Sequence, residues 1–213
     1  MKSTMYHIID IENWKRKAAF LFFKDFDDPF FNVSVNVDVT NLYEKCKSEK
    51  LSFTLSMLYY SNRILNSIPE FRMRLKGEEV LEFEKINVSF TVLHEDNTFT
   101  FCYLDFQEDF KSFVENGQQR IEEELKTKQL DGKADLLDTI HYSILPWLQF
   151  TTFKHARRFN TGDSIPKITI GKRFQENDKW KIPISVEVHH ALMDGFHLGQ
   201  YFQKWELEME DLV

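Results

Sequence analysis

The sequence predicts an α+β protein, a two-layer sandwich in which a mixed β-sheet is packed with helices. Segments of helical and of strand-like periodicity follow one another without the strict βαβ alternation of a parallel sheet. Hydrophobic residues make up 42% of the 213 residues and aromatic residues 15%, which is enough for a sizeable core. No linker rich in Pro, Gly or Ser and no internal repeat divides the chain, so we expect one domain over residues 1–213.

Apolar residues recur at helical spacing in four places, each of which predicts an amphipathic helix. The segments are Asp10–Phe23, Leu51–Ile68, Phe110–Lys128 and the C-terminal stretch through Leu198, Tyr201, Phe202 and Trp205. The last segment follows Met193-Asp194-Gly195, whose residue types favour a turn.

Alternating or β-branched runs predict the strands of the sheet. They are Asn32–Val39, Val80–Phe83, Val88–Leu93, Thr98–Leu104, Tyr142–Phe153, Lys167–Phe174 and Ile182–Val188. Lys126–Asp138 is the most polar stretch and is interpreted as a surface connection. The 21 phenylalanines and only seven glycines predict a dense aromatic interior with apolar surface left over for a partner subunit.

Charge and cysteine content exclude several classes of protein. The formal net charge of −7 argues against nucleic acid as the main partner, because phosphate backbones are bound by positive faces. Cys46 and Cys102 are too few for a disulfide framework or a zinc site. The acidic N-terminal segment resembles neither a signal peptide nor a membrane span, so we expect a cytoplasmic protein without a membrane partner.

The run from Val186 to His197 is the most informative part of the chain. Three imidazoles and a carboxylate, those of His189, His190, His197 and Asp194, follow a segment that is predicted to be a strand. Adjacent residues at a strand end point to opposite faces, so one of the first two histidines can face a cleft while the other packs inside. A neutral imidazole suits proton abstraction near neutral pH when its orientation is fixed. Core or turn residues are the alternative, and zinc binding is disfavoured because the adjacent histidines point apart.

His190, Asp194 and Gly195 fit the pattern H-x-x-x-D-G, which resembles the active-site signature of coenzyme A-dependent acyltransferases. The longer string HHALMDGFHLG resembles the chloramphenicol acetyltransferase family in particular. Other blocks resemble this family in the same order along the chain. They are Trp14–Lys17, Val37–Thr40, Ile68–Arg74, Phe90–Glu95 and Leu145–Phe153.

The resemblance implies a mixed sheet with helices on one side and a homotrimer whose active sites lie at the subunit interfaces. It also implies acetyl-CoA as the co-substrate, without a metal. By resemblance His190 is the general base and Ser143 donates a hydrogen bond to the oxyanion, although a strand serine bonded to backbone is the simpler interpretation of the sequence alone. Thr169 matches a threonine that holds a water, and it too is an ordinary strand residue by sequence alone. Asp194 and Arg16 match a structural ion pair that fixes the histidine loop.

The same resemblance suggests the ligand contacts. Phe31 and Phe99 match aromatic positions that flank the acceptor's ring. Three wall positions depart from the family: Phe23 stands in place of a usual tyrosine, His155 in place of an apolar residue, and Pro29 in place of a small residue.

On the cofactor side, Trp147 matches a residue near the pantetheine path. Ser52 and Arg173 replace a common lysine and tyrosine, and Arg173 can supply a cationic contact. Lys172 and Arg173, with Lys154, Arg157 and Arg158, could form a basic patch for the cofactor, or a solvated surface run.

These residues predict an O-acetyltransferase that acts on chloramphenicol. One alternative keeps the chemistry with a different hydroxyl acceptor. Two others belong to different classes: a noncatalytic small-molecule-binding trimer and a metal-dependent hydrolase.

Overall fold

A seven-stranded mixed sheet with helices along one face forms the body of the molecule, and a three-stranded sheet lies beside it. The computed structural model describes residues 4–127, 130–133, 136–157 and 162–212. The helices are α1 (Lys17–Phe23), α2 (Thr40–Glu49), α3 (Phe53–Asn66), α4 (Phe110–Thr127) and α5 (Gly195–Glu210). The strands are β1 (Tyr6–Ile8), β2 (Phe30–Asp38), β3 (Met73–Lys76), β4 (Glu79–Phe83), β5 (Asn87–Leu93), β6 (Phe99–Leu104), β7 (Thr139–Ile144), β8 (Lys167–Ile170), β9 (Phe174–Glu176) and β10 (Lys179–His189). The predicted α+β class is confirmed.

The large sheet has the order β2-β10-β8-β7-β5-β6, with β9 paired to β10. The pairs β5–β7 and β7–β8 are parallel and the others are antiparallel. Because side chains alternate between the faces of a strand, paired residues in register share a face. Tyr142, Ile168 and Val186 are in register on the apolar face. Ser143 and Thr169 are in register on the opposite, polar face.

The helices cover the apolar face. Most of α3 is buried, and α5 buries Tyr201 and Trp205 completely. Inside this layer, the Ser61 hydroxyl is hydrogen-bonded to Tyr142 at 3.0 Å and to Tyr201 at 2.9 Å. One hydroxyl group on α3 therefore links this helix to β7 and α5. The opposite face of the sheet carries the polar residues.

Two predicted elements are shorter than the sequence pattern indicated. The predicted helix Asp10–Phe23 divides into a 3-10 helix, Ile11–Asn13, and α1, because Arg16 has a non-helical backbone and extends its side chain across the molecule to the loop after β10. The predicted strand Tyr142–Phe153 ends at Ile144, shortly before Pro146, which has no N–H to donate to a sheet.

Other elements were not predicted. Lys167–Phe174 is interrupted at Gly171, and β9 then forms a hairpin with β10 through Asn177 and Asp178, which both have positive φ. Helix α2 and strands β1 and β3 of the small β1-β4-β3 sheet lacked a clear apolar period, whereas β4 agrees with the predicted strand Val80–Phe83. Within the predicted connection Lys126–Asp138, the described residues after Thr127 contain neither helix nor strand.

Candidate active site

His190 follows the last residue of β10 and is held between aromatic rings. Its backbone N–H donates to the Pro29 carbonyl at 2.8 Å. The Phe23 ring stacks on the imidazole, with centroids 3.8 Å apart and an interplanar angle of 7°, and the Phe31 ring lies at 4.7 Å. Nδ1 is buried without a hydrogen-bond partner among the described residues. Nε2 is therefore the ring nitrogen that is open to a substrate.

An ion pair anchors the loop that carries His190. Arg16 Nη1 donates to Asp194 Oδ2 at 2.6 Å, and Arg16 Nη2 lies 3.4 Å from the carbonyl oxygen of His190. Burial acts to raise the pKa of Asp194, but the hydrogen bond from Arg16 and the Phe196 N–H hold it below its ordinary value. Asp194 also caps α5 by accepting the Phe196 N–H at 3.0 Å. One carboxylate thus fixes both the loop and the start of the helix.

The neighbouring histidines make structural contacts. His189 is buried on the polar face, where its Nδ1 accepts the Ala191 N–H at 3.2 Å, and burial lowers its pKa to about 4. His197 Nδ1 accepts the Asp194 N–H at 3.1 Å, and its Nε2 faces Glu70 at 3.3 Å. The hydrogen bond from His197 lowers the pKa of Glu70. The prediction that His189 and His190 face different surroundings is confirmed.

A second group of candidate residues lies on the polar face of the sheet. Ser143, Thr169 and Ser185 stand side by side on β7, β8 and β10. Ser143 opens into a cavity of about 440 Å³ on this face, beside β5 and β6. The cavity is also lined by Phe99, Phe101, Tyr103, His141, His155 and Lys167, among others. Aromatic and hydrogen-bonding groups therefore converge on the hydroxyl of Ser143.

A cluster of buried charged residues lies beside this cavity and contributes His155 and Lys167 to its lining. Glu187 accepts the Arg157 Nε–H at 2.5 Å and lies 3.2 Å from His155 Nδ1. Arg157 Nη1 and Lys167 both donate to Asp163, at 2.9 Å and 2.8 Å. Burial raises the pKa of Glu187, but the hydrogen bonds from His155 and Arg157 prevail and lower it to about 2. The charges in this cluster alternate in sign and compensate one another.

The residues predicted for the cofactor lie at the end of β8. Lys172 and Arg173 line a separate cavity of about 250 Å³, together with the first residues of α3. The Arg173 guanidinium packs 3.9 Å from the Tyr43 ring and 4.8 Å from the Trp180 ring, and its buried Nε has no partner among the described residues. Trp147 is 59% exposed on the turn that precedes β8 in the chain.

The proposed basic patch is not formed as one surface. Lys154 is paired with Asp28 at 2.7 Å, and Arg157 is committed to Glu187 and Asp163. Arg158 lies outside the described residues. Only Lys172 and Arg173 of that group remain near the cofactor cavity.

The two groups of candidate residues are well separated within one chain. Ser143 is in register with Thr169, and Thr169 with Ser185, which lies five residues before His190. At about 3.3 Å per residue, His190 lies roughly 16 Å along the strand from that row. Phe31 is on β2 and Phe99 on β6, the first and last strands in the order of the large sheet. One chain therefore does not bring His190 to Ser143, or Phe31 to Phe99.

Sequence reasoning missed three polar residues of these sites: Glu70, His141 and Glu187. Glu187 had a visible signal, since it is an acid between two valines near the end of a predicted strand. His141 lies two residues before Ser143, and two residues apart on a strand means the same face. The signal for Glu70 is weaker, because only the fold brings it to His197.

The described residues bear on two of the classes considered above, membrane proteins and metal-dependent enzymes. In the described ranges, no helix combines the length and apolar character that a membrane span requires. Among the same residues, no group of three or more His, Cys, Asp or Glu side chains is arranged to hold a metal ion.

The chain is similar to known proteins over nearly its whole length. The family model described as chloramphenicol acetyltransferase matches residues 4–206. A chloramphenicol acetyltransferase of Bacillus pumilus is 32% identical over 208 residues, which cover 96% of this chain and 94% of that protein. One from Klebsiella sp is 29% identical over 213 residues, with 96% and 97% of the two chains covered.

Solved structures of acetyltransferases are similar to this chain in fold. A chloramphenicol acetyltransferase superimposes with a TM-score of 0.88 at 28% identity, covering 98% of this chain and all of the other. The dihydrolipoamide acetyltransferase of Azotobacter vinelandii is similar in fold, with a TM-score of 0.70 at 15% identity over 100% of this chain and 92% of that one.

Proposed function

Because this chain belongs to the chloramphenicol acetyltransferase family and is an acetyltransferase, we propose that it moves the acetyl group of acetyl-CoA to a hydroxyl of chloramphenicol. The observation that carries this proposal is the setting of His190, whose imidazole is clamped by Phe23 and Phe31 with Nε2 left open. A base with a fixed ring and one accessible nitrogen is what proton abstraction from an alcohol requires.

In the proposed reaction His190 Nε2 takes the proton of the acceptor hydroxyl as its oxygen attacks the thioester carbonyl carbon. The Ser143 hydroxyl donates a hydrogen bond to the resulting oxyanion, and Thr169 on the adjacent strand holds a water there. When the tetrahedral intermediate collapses, the bond to sulfur breaks and His190 returns the proton to the departing thiolate. Atoms and charges balance without an acyl-enzyme intermediate.

Asp194 and Arg16 act by position. Arg16 reaches both the carboxylate of Asp194 and the carbonyl oxygen of His190. Arg16 therefore links the backbone of His190, the proposed base, to the residue that caps α5. Loss of either partner releases the loop and leaves a charge without its counterpart.

We further propose that the complete site forms between chains of a homotrimer. His190 and Ser143 are too far apart in one chain to act on one substrate. A neighbouring copy that presents Ser143 and the cavity on the polar face to His190 would unite them. It would also bring Phe99 of one chain near Phe31 of another, so that the acceptor's ring lies between phenyl groups.

The cofactor cavity suits the anionic end of acetyl-CoA. Lys172 and Arg173 provide positive charge, and Trp147 provides an exposed aromatic surface on the same side of the molecule. Arg173 is held by aromatic rings, which pre-organises its guanidinium for phosphate.

A different hydroxyl acceptor is the second candidate, and the hydrogen-bonding groups among the lining residues of the 440 Å³ cavity favour it. Phe23 offers no phenolic hydroxyl, while His141 adds an imidazole and Lys167 an ammonium group to the cavity lining. A cavity with these polar groups would favour an acceptor that carries more hydrogen-bonding groups than one bound by a purely apolar wall.

The test is release of free thiol from acetyl-CoA in the presence of chloramphenicol, against a control without acceptor. We expect acceptor-dependent release by the wild-type protein, its near-complete loss in His190→Ala, and no loss in His7→Ala, an exposed histidine on β1. Acetyl-CoA binding without release would refute chloramphenicol as the acceptor, and a panel of hydroxylated compounds would then test the second candidate. Full activity of His190→Ala would refute the mechanism, and no release with any compound would leave a noncatalytic binding protein.

A further inference from the structure

His155 lines the 440 Å³ cavity beside Ser143, and both of its ring nitrogens are hydrogen-bonded. Its Nδ1 lies 3.2 Å from Glu187 Oε2, and its Nε2 lies 3.1 Å from Thr169 Oγ1. Its backbone N–H donates to the same carboxylate oxygen at 3.0 Å. The side chain of His155 is 13% exposed and that of Glu187 only 1%. These contacts order a carboxylate, an imidazole and a hydroxyl in one line.

The direction of each hydrogen bond follows from the charge of Glu187. Arg157 Nε donates to its other oxygen at 2.5 Å, and the low pKa of about 2 keeps this carboxyl ionised, since the hydrogen bonds outweigh burial. An ionised carboxylate only accepts, so Nδ1 of His155 carries a proton. In the neutral imidazole Nε2 then has a lone pair, and the Thr169 hydroxyl must donate to it.

A carboxylate, a histidine and a hydroxyl in line also resemble a nucleophilic triad. That role is not needed here, because the proposed transfer passes through no acyl-enzyme and the Thr169 side chain is buried. Its register partner on β7, Ser143, is partly exposed in the cavity.

We propose that His155 is a positioning residue of the acyl-transfer site: Glu187 holds it as the Nδ1-protonated tautomer, so that its Nε2 accepts a hydrogen bond from the Thr169 hydroxyl and leaves Thr169 as a hydrogen-bond acceptor only. This inference rests on the proposed function, since it assigns work within that site. Its consequence is a division of labour. Ser143 remains the hydroxyl donor of the pair, and Thr169 can orient a water or hydroxyl but cannot compete for the oxyanion.

The first test reads the tautomer and does not depend on activity. Protein labelled with ¹⁵N-histidine is examined by long-range ¹H–¹⁵N correlation, and His155→Gln identifies the signals. We expect a proton on Nδ1 and none on Nε2 in the wild-type protein. In Glu187→Gln, whose amide can donate to Nδ1, we expect the Nε2-protonated form to gain population. An Nε2-protonated ring in the wild-type protein would overturn the inference.

The second test is kinetic and uses the acceptor identified by thiol release. His155→Leu removes the contact to Thr169, and the loss of one hydrogen bond should lower kcat by about three- to tenfold with a smaller change in KM. His155→Gln, whose carbonyl oxygen can still accept from Thr169, should restore most of kcat. His7→Leu is the matched control on the exposed strand β1 and should leave kcat unchanged.

A double-mutant cycle separates positioning from packing. In a Thr169→Val background, His155→Leu should have no further effect on kcat, because the hydroxyl that His155 orients is already gone. An undiminished loss in that background would refute coupling through Thr169. Absence of acetyl transfer by the wild-type protein would refute the proposed function instead, and the tautomer would still decide which way the hydrogen bond runs.

Discussion

Replacement of Glu187 by Gln tests whether the charge of this buried residue stabilises the fold. Burial alone would raise the pKa of the carboxyl group, but the hydrogen bonds from His155 and Arg157 lower it from about 4.5 to about 2. Each pKa unit corresponds to about 1.4 kcal/mol, so ionisation of Glu187 contributes about 3 kcal/mol to the free energy of unfolding near neutral pH. Gln keeps the shape of the side chain and removes that charge.

The sign of the pH dependence follows from the direction of the shift. The folded-state pKa is lower than the unfolded-state pKa, so the stabilisation is complete above the unfolded value and is lost as the pH falls through the folded value. We therefore expect Glu187→Gln to lower the free energy of unfolding by about 3 kcal/mol at about pH 7, by about 2 kcal/mol at about pH 3.5, and by almost nothing near pH 2.

Urea unfolding followed by tryptophan fluorescence, at one fixed protein concentration, measures this difference. Glu12→Gln is the matched control: its partner is Lys17, its side chain is 80% exposed, and its unfolding curve should overlay that of the wild-type protein. An equal loss for Glu187→Gln at about pH 7 and about pH 3.5 would mean that packing, and not ionisation, is affected, and it would refute the electrostatic argument.

Four further substitutions test other parts of the molecule. Ser143→Ala should lower kcat by about 100- to 1,000-fold with little change in KM, as steady-state thiol-release rates will show, because an oxyanion donor is lost; a change confined to KM would contradict this role. Asp194→Asn keeps a helix-capping side chain but loses the charge that Arg16 pairs with, so kcat should fall by about tenfold or more while the helical circular dichroism is retained; unchanged kcat would remove Asp194 from the site. Gly171→Ala should lower the free energy of unfolding by about 1–3 kcal/mol, since a Cβ would lie 2.6 Å from Pro183 Cγ and 2.8 Å from the Leu148 carbonyl oxygen. Gly199→Ala has open space around it in α5 and should raise the same quantity by up to about 1 kcal/mol in urea unfolding, and a fall there would contradict the helix argument.

The sequence predicted those parts of the fold in which one face of an element decides its conformation. Strand β10 follows the alternation seen from Ile182 to Val188, and α3 follows the helical spacing from Leu51 to Ile68. Elements without such a face were missed. Strands β1 and β3 of the small sheet are only three and four residues long. Residues this few do not establish a period that sequence analysis can recognise.

The candidate site shows the same division between local and long-range information. His190 and Asp194 are close in sequence and could be recognised together. Arg16 is distant in sequence and was identified only by its resemblance to a family position; in the structure it donates a hydrogen bond to Asp194. The partnership of His155 with Glu187 spans 32 residues and depends on how a loop folds against β10. Local pattern carries no information about such a contact, which is why the sequence marked His155 as a departure without explaining it.

The separation of His190 from Ser143 makes a strong prediction about subunit sharing. If each site takes His190 from one chain and Ser143 from the next, His190→Ala and Ser143→Ala chains should complement each other when they are mixed, denatured and refolded together. At a 1:1 ratio, random assembly of a cyclic trimer pairs an intact His190 with an intact Ser143 at about one quarter of the interfaces. Thiol release should then rise to about a quarter of the wild-type rate, from the much lower rates of each variant refolded alone. If the site lay within a single chain, every chain in the mixture would carry one defect, and mixing would recover nothing beyond the average of the two variants.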